Sequence, residues 1–98
     1  MEKRDYLIML YDFYAPLFSL KQKEYFEDYY FNNLSLSEIS ENEDITRNAI
    51  HKHIKDACEK LNYYEDNLKI NEKNNKLLKL IDNVDKDIKE EIEELIKG

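Results

Sequence analysis

Glycine and proline are nearly missing from these 98 residues: Gly98 and Pro16 are the single examples. A β-protein needs Gly, Asn-Gly or Pro at many tight turns, so their scarcity excludes a sandwich or barrel. Valine occurs once, while Lys, Glu, Leu and Ile, most of them good helix formers, are abundant. The composition therefore predicts an all-α chain. A single cysteine excludes an intrachain disulfide and any Cys-rich metal framework. Uncharged apolar runs stop after a few residues, far short of the ~20 needed to cross a bilayer. The stretch MEKRDYLIML has neither a long apolar core nor a small-residue cleavage site, so it does not read as a secretory signal. The expectation is a soluble cytoplasmic protein.

What is present is enough for one small core. Leu, Ile, Val and Phe make up 27 of the 98 residues, above the roughly 20% below which disorder is expected. The formal net charge is −7, which argues against indiscriminate nucleic-acid binding. Distribution matters more than the total. The segment from Thr46 to Lys60 holds Arg47, Lys52, Lys55 and Lys60 against Asp56 and Glu59, with His51 and His53 in addition. Thirteen Lys and ten Asn against two Arg suggest a compositional background in Lys and Asn, so Arg47 carries more information than its lysine neighbours.

Apolar positions at three- and four-residue steps predict a first helix from near Lys3, with Tyr6, Leu7, Leu10, Tyr11, Phe13, Tyr14, Leu17 and Phe18 on its inner face. Pro16 should kink it or end it near Ala15. Ser19 to Gln22 has the pattern of a reciprocal cap and opens a second helix reaching about Asn32. Ser35-Leu36-Ser37-Glu38 repeats the pattern and opens a short third helix to about Asn42, with Leu36 and Ile39 facing inward. Asn42-Glu43-Asp44 forms a turn. Thr46 caps a fourth helix whose stripe is Ala49, Ile50, His53, Ile54, Ala57, Cys58 and Leu61, and which can continue through Leu68. Beyond it, Leu77, Leu80, Ile81, Val84, Ile88, Ile92, Leu95 and Ile96 form a further stripe. Either one long helix runs through Asp82-Asn83 or two helices break there, with Asn83 as a cap. Asn71 to Asn75 is polar enough to fray. The expected organisation is residues 1–66 as N-terminal helices plus a helix-turn-helix at about 35–62, and 67–98 as a C-terminal helical extension of the same domain.

A short capped helix, a tight turn and a longer helix with a polar outer face is the plan of a helix-turn-helix. Its second helix must present short or polar side chains where it enters the major groove. Thr46, Arg47, Asn48, His51, Lys52 and Lys55 meet that requirement and are the candidate DNA-binding residues. Arg47 suits guanine or phosphate, and Asn48 suits adenine. The bland alternative is a solvated helix face, favoured by the acidic neighbours Glu38, Glu41, Glu43 and Asp44, which repel phosphate.

Leu34 to Ser40 and Ile45 to Ile50 are similar to the region-4 helix-turn-helix of sigma factors. Tyr11 to Tyr14, Lys21 to Phe26, Tyr29-Tyr30, Leu36 to Ile39 and the later Tyr63-Tyr64-Glu65 resemble the YlxM family of small bacterial proteins, over essentially the whole chain. The resemblance implies a DNA-binding regulator whose gene neighbours those of the signal recognition particle GTPases. Components of that particle are thus possible partners by resemblance alone. The family turn carries Leu-Gly where this chain has Glu43-Asp44. Asp tolerates the left-handed conformation better than most residues, at some cost relative to Gly, and either the turn is looser or Glu43 points to water.

Other features read as structure. Ten of the twelve aromatics lie within the first 31 residues. They could stack single-stranded RNA, but their helical spacing favours core and interface. His51 and His53, two apart, point to different faces and cannot share a metal in the i, i+4 manner. His53 is expected to be half-buried and Cys58 to be a small core residue. No phosphate loop, carboxylate pair or nucleophile motif is present, so no enzyme, cofactor or metal is expected. The rival to a DNA regulator is a protein- or RNA-binding adaptor of the targeting machinery. Surplus apolar surface on the first and C-terminal helices predicts a symmetric homodimer.

Overall fold

The structure, a computed structural model, describes residues 4–97. Six helices follow one another: α1 Arg4–Tyr14, α2 Leu20–Tyr30, α3 Leu36–Glu43, α4 Arg47–Leu68, α5 Ile70–Leu80 and α6 Lys86–Lys97. Single 3-10 turns lie at Ala15–Leu17 and Ile81–Asn83, and no strand occurs among the described residues. The all-α expectation holds. The expected start of helix one at Lys3 lies outside the described residues.

Pro16 ends α1. It sits in the 3-10 turn directly after Tyr14, where its missing N–H breaks the helical ladder. Ser19 then caps α2, its hydroxyl accepting the Gln22 N–H at 3.2 Å. The reciprocal half of that cap is not made. The Gln22 carbonyl oxygen accepts instead from Lys60 Nζ at 2.9 Å, tying α2 to α4. At Ser35 both halves form: the hydroxyl accepts from Glu38 N at 3.1 Å and the Glu38 carboxylate from Ser35 N at 3.0 Å. α2 ends at Tyr30, short of Asn32, while α3 runs one residue past Asn42.

The core is built on α4, against which α1, α2 and α3 all pack. Leu7, Leu10 and Tyr14 from α1, Phe26 from α2 and Ile39 from α3 meet Ile50, Ala57 and Leu61 of α4, all at 1% exposure or less. The aromatic content is therefore mostly core. Tyr11 stacks on Phe26 with ring centroids 4.3 Å apart, and Phe26 lies 4.6 Å from Tyr30. The inner stripes need three corrections. Tyr6 and Leu17 are exposed, because α1 stops before Leu17 and its buried arc is narrower than the sequence stripe. His53 is exposed as well, at the edge of the α4 stripe, with its ring 5.2 Å from Tyr25. Cys58 is half-buried and packs against the core, its sulfur 3.5 Å from the Tyr30 hydroxyl.

The turn between α3 and α4 settles the Glu43-Asp44 question. Asp44 adopts φ 54°, ψ 41°, the left-handed conformation that glycine supplies elsewhere. The turn is closed, not loose: Ile45 N donates to Ser40 O at 3.3 Å and Ser40 Oγ to Ile45 O at 2.5 Å. Glu43 does not point to open water. It is half-buried, and its carboxylate accepts from Lys21 Nζ at 3.0 Å. A left-handed residue with a Cβ costs roughly 1–2 kcal/mol, and glycine's greater unfolded freedom returns part of that. Asp44→Gly is therefore expected to stabilise the domain by up to about 1 kcal/mol, read as a rise in the urea midpoint. A lowered midpoint would mean that the Asp44 side chain holds the turn.

The C-terminal stripe forms two helices. The 3-10 turn at Ile81–Asn83 separates them. Asn83 is not the cap: Asp85 Oδ1 accepts the Asp87 N–H at 2.8 Å. Nor is Asn71 to Asn75 the junction: it lies inside α5, with Asn71 buried. The junction falls at Lys69, also left-handed. There a buried carboxylate, unforeseen from the sequence, orients α5. Glu65 accepts from the Tyr14 hydroxyl at 2.6 Å and from the N–H groups of Asn71 and Glu72 at 3.1 Å each. The Tyr14 oxygen accepts in turn from Ile70 N at 3.2 Å. A carboxylate at the first turn of α5 satisfies donors that the helix leaves open and meets its positive end. Burial, reinforced by donation to Glu65, pushes the Tyr14 phenol up to about 12. α1, α4 and α5 are thus joined through two side chains.

Candidate nucleic-acid interface

α3 and α4 form the helix-turn-helix. Ile39 is fully buried and Ile45 packs on the core, so the short helix braces the long one. Thr46 begins α4 with its Oγ1 accepting the Ala49 N–H at 3.1 Å. Ile50, Ile54, Ala57 and Leu61 turn inward, which forces the intervening positions outward. Thr46, Arg47, Asn48, His51, Lys52 and Lys55 are all exposed. On a helix of 3.6 residues per turn, Arg47, Asn48, His51, Lys52 and Lys55 share an arc of about 140°. The candidate side chains therefore lie on one face, beginning at the helix N-terminus.

Charge on that face is lightly engaged. Lys52 Nζ lies 3.9 Å from Asp56, an exposed pair one turn apart. Such pairs contribute little, so Lys52 can exchange its partner at small cost. Two of the acidic neighbours are occupied within the fold. Glu38 closes the Ser35 cap, which lowers its carboxyl below the usual range through hydrogen bonds from Ser35. Glu43 is held by α2. Glu24 and Glu43 share this site, and their interaction holds the Glu43 carboxyl, also paired with Lys21, below the usual range and pushes the Glu24 carboxyl above it. Asp28 completes this cluster, with ligand oxygens within 4.8 Å of one another and Lys21 as the internal counter-charge. The sequence did not reveal the cluster, because its members come from two helices. Glu41 and Asp44 stay exposed at the turn.

His51 and Lys55 do more than face solvent. With Tyr29, Tyr30, Leu36, Ile54 and Cys58 they line an apolar groove of about 370 Å³ beside α4. Periodicity within α4 could not show it, because the other wall comes from α2 and α3. At the far end of that wall, Arg4 donates to the Tyr30 carbonyl oxygen and to Asn33 Oδ1, closing the α2 C-terminus. No helix among the described residues is long and apolar enough to cross a membrane.

Known proteins are similar to this chain in sequence along most of its length. Residues 1–97 match a family model described as "Putative helix-turn-helix protein, YlxM / p13 like". A UPF0122 protein of Caldanaerobacter subterraneus subsp. tengcongensis is 40% identical over 79 residues, covering 81% of this chain and 68% of that protein. One from Ureaplasma parvum is 49% identical over 74 residues, covering 76% and 75%. One from Fusobacterium nucleatum is 43% identical over 90 residues, covering 91% and 87%. With a family match along nearly its whole length and relatives at this identity, the chain belongs to the UPF0122 family of YlxM-like helix-turn-helix proteins.

Proposed function

We propose that this chain is a DNA-binding regulator that inserts the N-terminal half of α4 into a major groove. The observation that carries the reading is the single exposed face of Thr46, Arg47, Asn48, His51, Lys52 and Lys55, braced from behind by Ile39 and Ile45. Arg47 and Asn48, in the first turn, reach base edges, where Arg pairs with guanine and Asn with adenine. Lys52 and Lys55, one and two turns on, grip phosphates and set the register. The net charge of −7 then has a use: it suppresses binding to arbitrary sequences and leaves affinity to a few placed contacts. The reading is of a binding protein, not an enzyme, acting in the cytoplasm. Its regulatory link to the signal recognition particle pathway rests on the family resemblance alone.

The test is the salt dependence of binding to a duplex selected from a random-sequence pool. Each neutralised phosphate contributes a log–log slope of about −0.9, so two lysine contacts predict a slope near −2. A flat salt profile, or selection that enriches no sequence, overturns the reading. One observation favours a second reading, the protein adaptor: the groove at Tyr29, Tyr30 and Leu36 is apolar with a polar rim at His51, Lys55 and Asn62, the usual make-up of a binding cleft.

A further inference from the structure

We propose that α5 and α6 form the surface through which two copies of this chain pair, α5 of each copy lying against α6 of the other. This goes beyond the DNA reading and does not depend on it.

The arm from Ile70 to Lys97 is helical but scarcely buried. Asn71 and Ile81 are its only buried residues among those described, whereas Leu80 is 73% exposed, Ile88 50% and Leu95 80%. α6 buries no residue and packs chiefly on the 3-10 turn before it. Yet Ile88, Ile92, Leu95 and Ile96 recur at helical spacing and make one apolar stripe, with acidic residues between them. A helix of 12 residues whose stripe is open at Ile88 and Leu95 and only half-buried at Ile92 and Ile96 is marginal in water, where isolated helices shorter than about 12–15 residues rarely persist. The stripe therefore calls for a cover. The rest of the chain covers only the start of the arm, where α5 packs on α1 and α4 through Ile70 and the buried Asn71, and the molecule is 54 Å long against 24 and 22 Å across.

Charge identifies the cover. α5 carries Lys73, Lys76 and Lys79 against Glu72, a net of +2. α6 carries Asp87, Glu90, Glu91, Glu93 and Glu94 against three lysines, a net of −2. A surface bearing both signs on successive helices is complementary to itself turned around. That is the requirement of a two-fold interface, where one element meets a second and the second meets the first. Crossed pairing places the basic α5 on the acidic α6 twice and closes the stripes of both copies. A foreign partner would have to match both signs at once.

Light scattering on the full chain at 50–100 µM, without DNA, tests this. Twice the 11.9 kDa chain mass is expected, and a mass of one chain at that concentration overturns the proposal. Ile88→Asp with Ile92→Asp should give a monomer that keeps the thermal transition of the core. If self-association persists, the arm is not the interface. Charge reversal then reads the pairing. Lys73→Glu/Lys76→Glu/Lys79→Glu and Glu90→Lys/Glu91→Lys/Glu94→Lys should each weaken self-association at least tenfold at low salt. Mixing the two variants should restore a dimer, because each mutated helix then meets its opposite. If the lysine-reversed variant pairs like the parent, α5 is not in the interface and crossed pairing is wrong. None of these outcomes bears on DNA affinity, so failure here leaves the DNA reading standing, and the reverse.

Discussion

Replacing Arg47 and Lys52 together by alanine is expected to lower affinity for a selected duplex by about 100-fold while leaving the melting temperature unchanged. The two side chains contribute differently. A bidentate Arg–guanine contact carries about 1–3 kcal/mol of discrimination, so Arg47→Ala alone should flatten the sequence preference. Lys52→Ala should weaken all duplexes about equally and make the log–log salt slope shallower by roughly 0.9. Both residues are exposed and neither belongs to the core, so the fold should change by no more than about 0.5 kcal/mol. Fluorescence anisotropy across a salt series, with thermal melts of each variant, separates these effects. Unchanged affinity in the double variant would remove α4 from the role of reading helix and turn attention to the groove at Tyr29 and Tyr30.

Ile50→Ala tests the opposite face of the same helix. Ile50 is fully buried, one turn into α4, in the cluster that also holds Ile39 and Phe26. Truncating a buried Ile leaves a cavity and costs about 2–5 kcal/mol. In a domain of this size each kcal/mol moves the midpoint by about 4–8 °C, so the variant should melt far below the parent. Leu20→Ala is the control: Leu20 is 83% exposed, and its loss should stay within about 0.5 kcal/mol. Equal midpoints for Ile50→Ala and the parent would mean that the inner and outer faces of α4 have been exchanged. The DNA assignment to Arg47 and Lys52 would then fall with them.

The sequence by itself determined whatever depends on neighbours a few residues apart. The caps at Ser19, Ser35 and Thr46, the stop at Pro16, the inward set Ile50, Ile54, Ala57 and Leu61, and the outward set Arg47, Asn48, Lys52 and Lys55 all follow from i+3 and i+4 relations within one helix. Tertiary structure decided the rest, because the partners are far apart in the chain. Tyr14 and Glu65 are 51 residues apart, so no window of sequence shows that a carboxylate is buried there to aim α5. Lys21 and Glu43 are 22 apart, so the acid that looked repulsive to phosphate proved to be held by α2. The groove beside His51 needs walls from three helices. Apolar periodicity in Leu77 to Ile96 shows that one side of each helix avoids water. Whether that side meets the same chain depends on the direction in which α5 leaves the core, and Glu65 and the left-handed Lys69 set that direction.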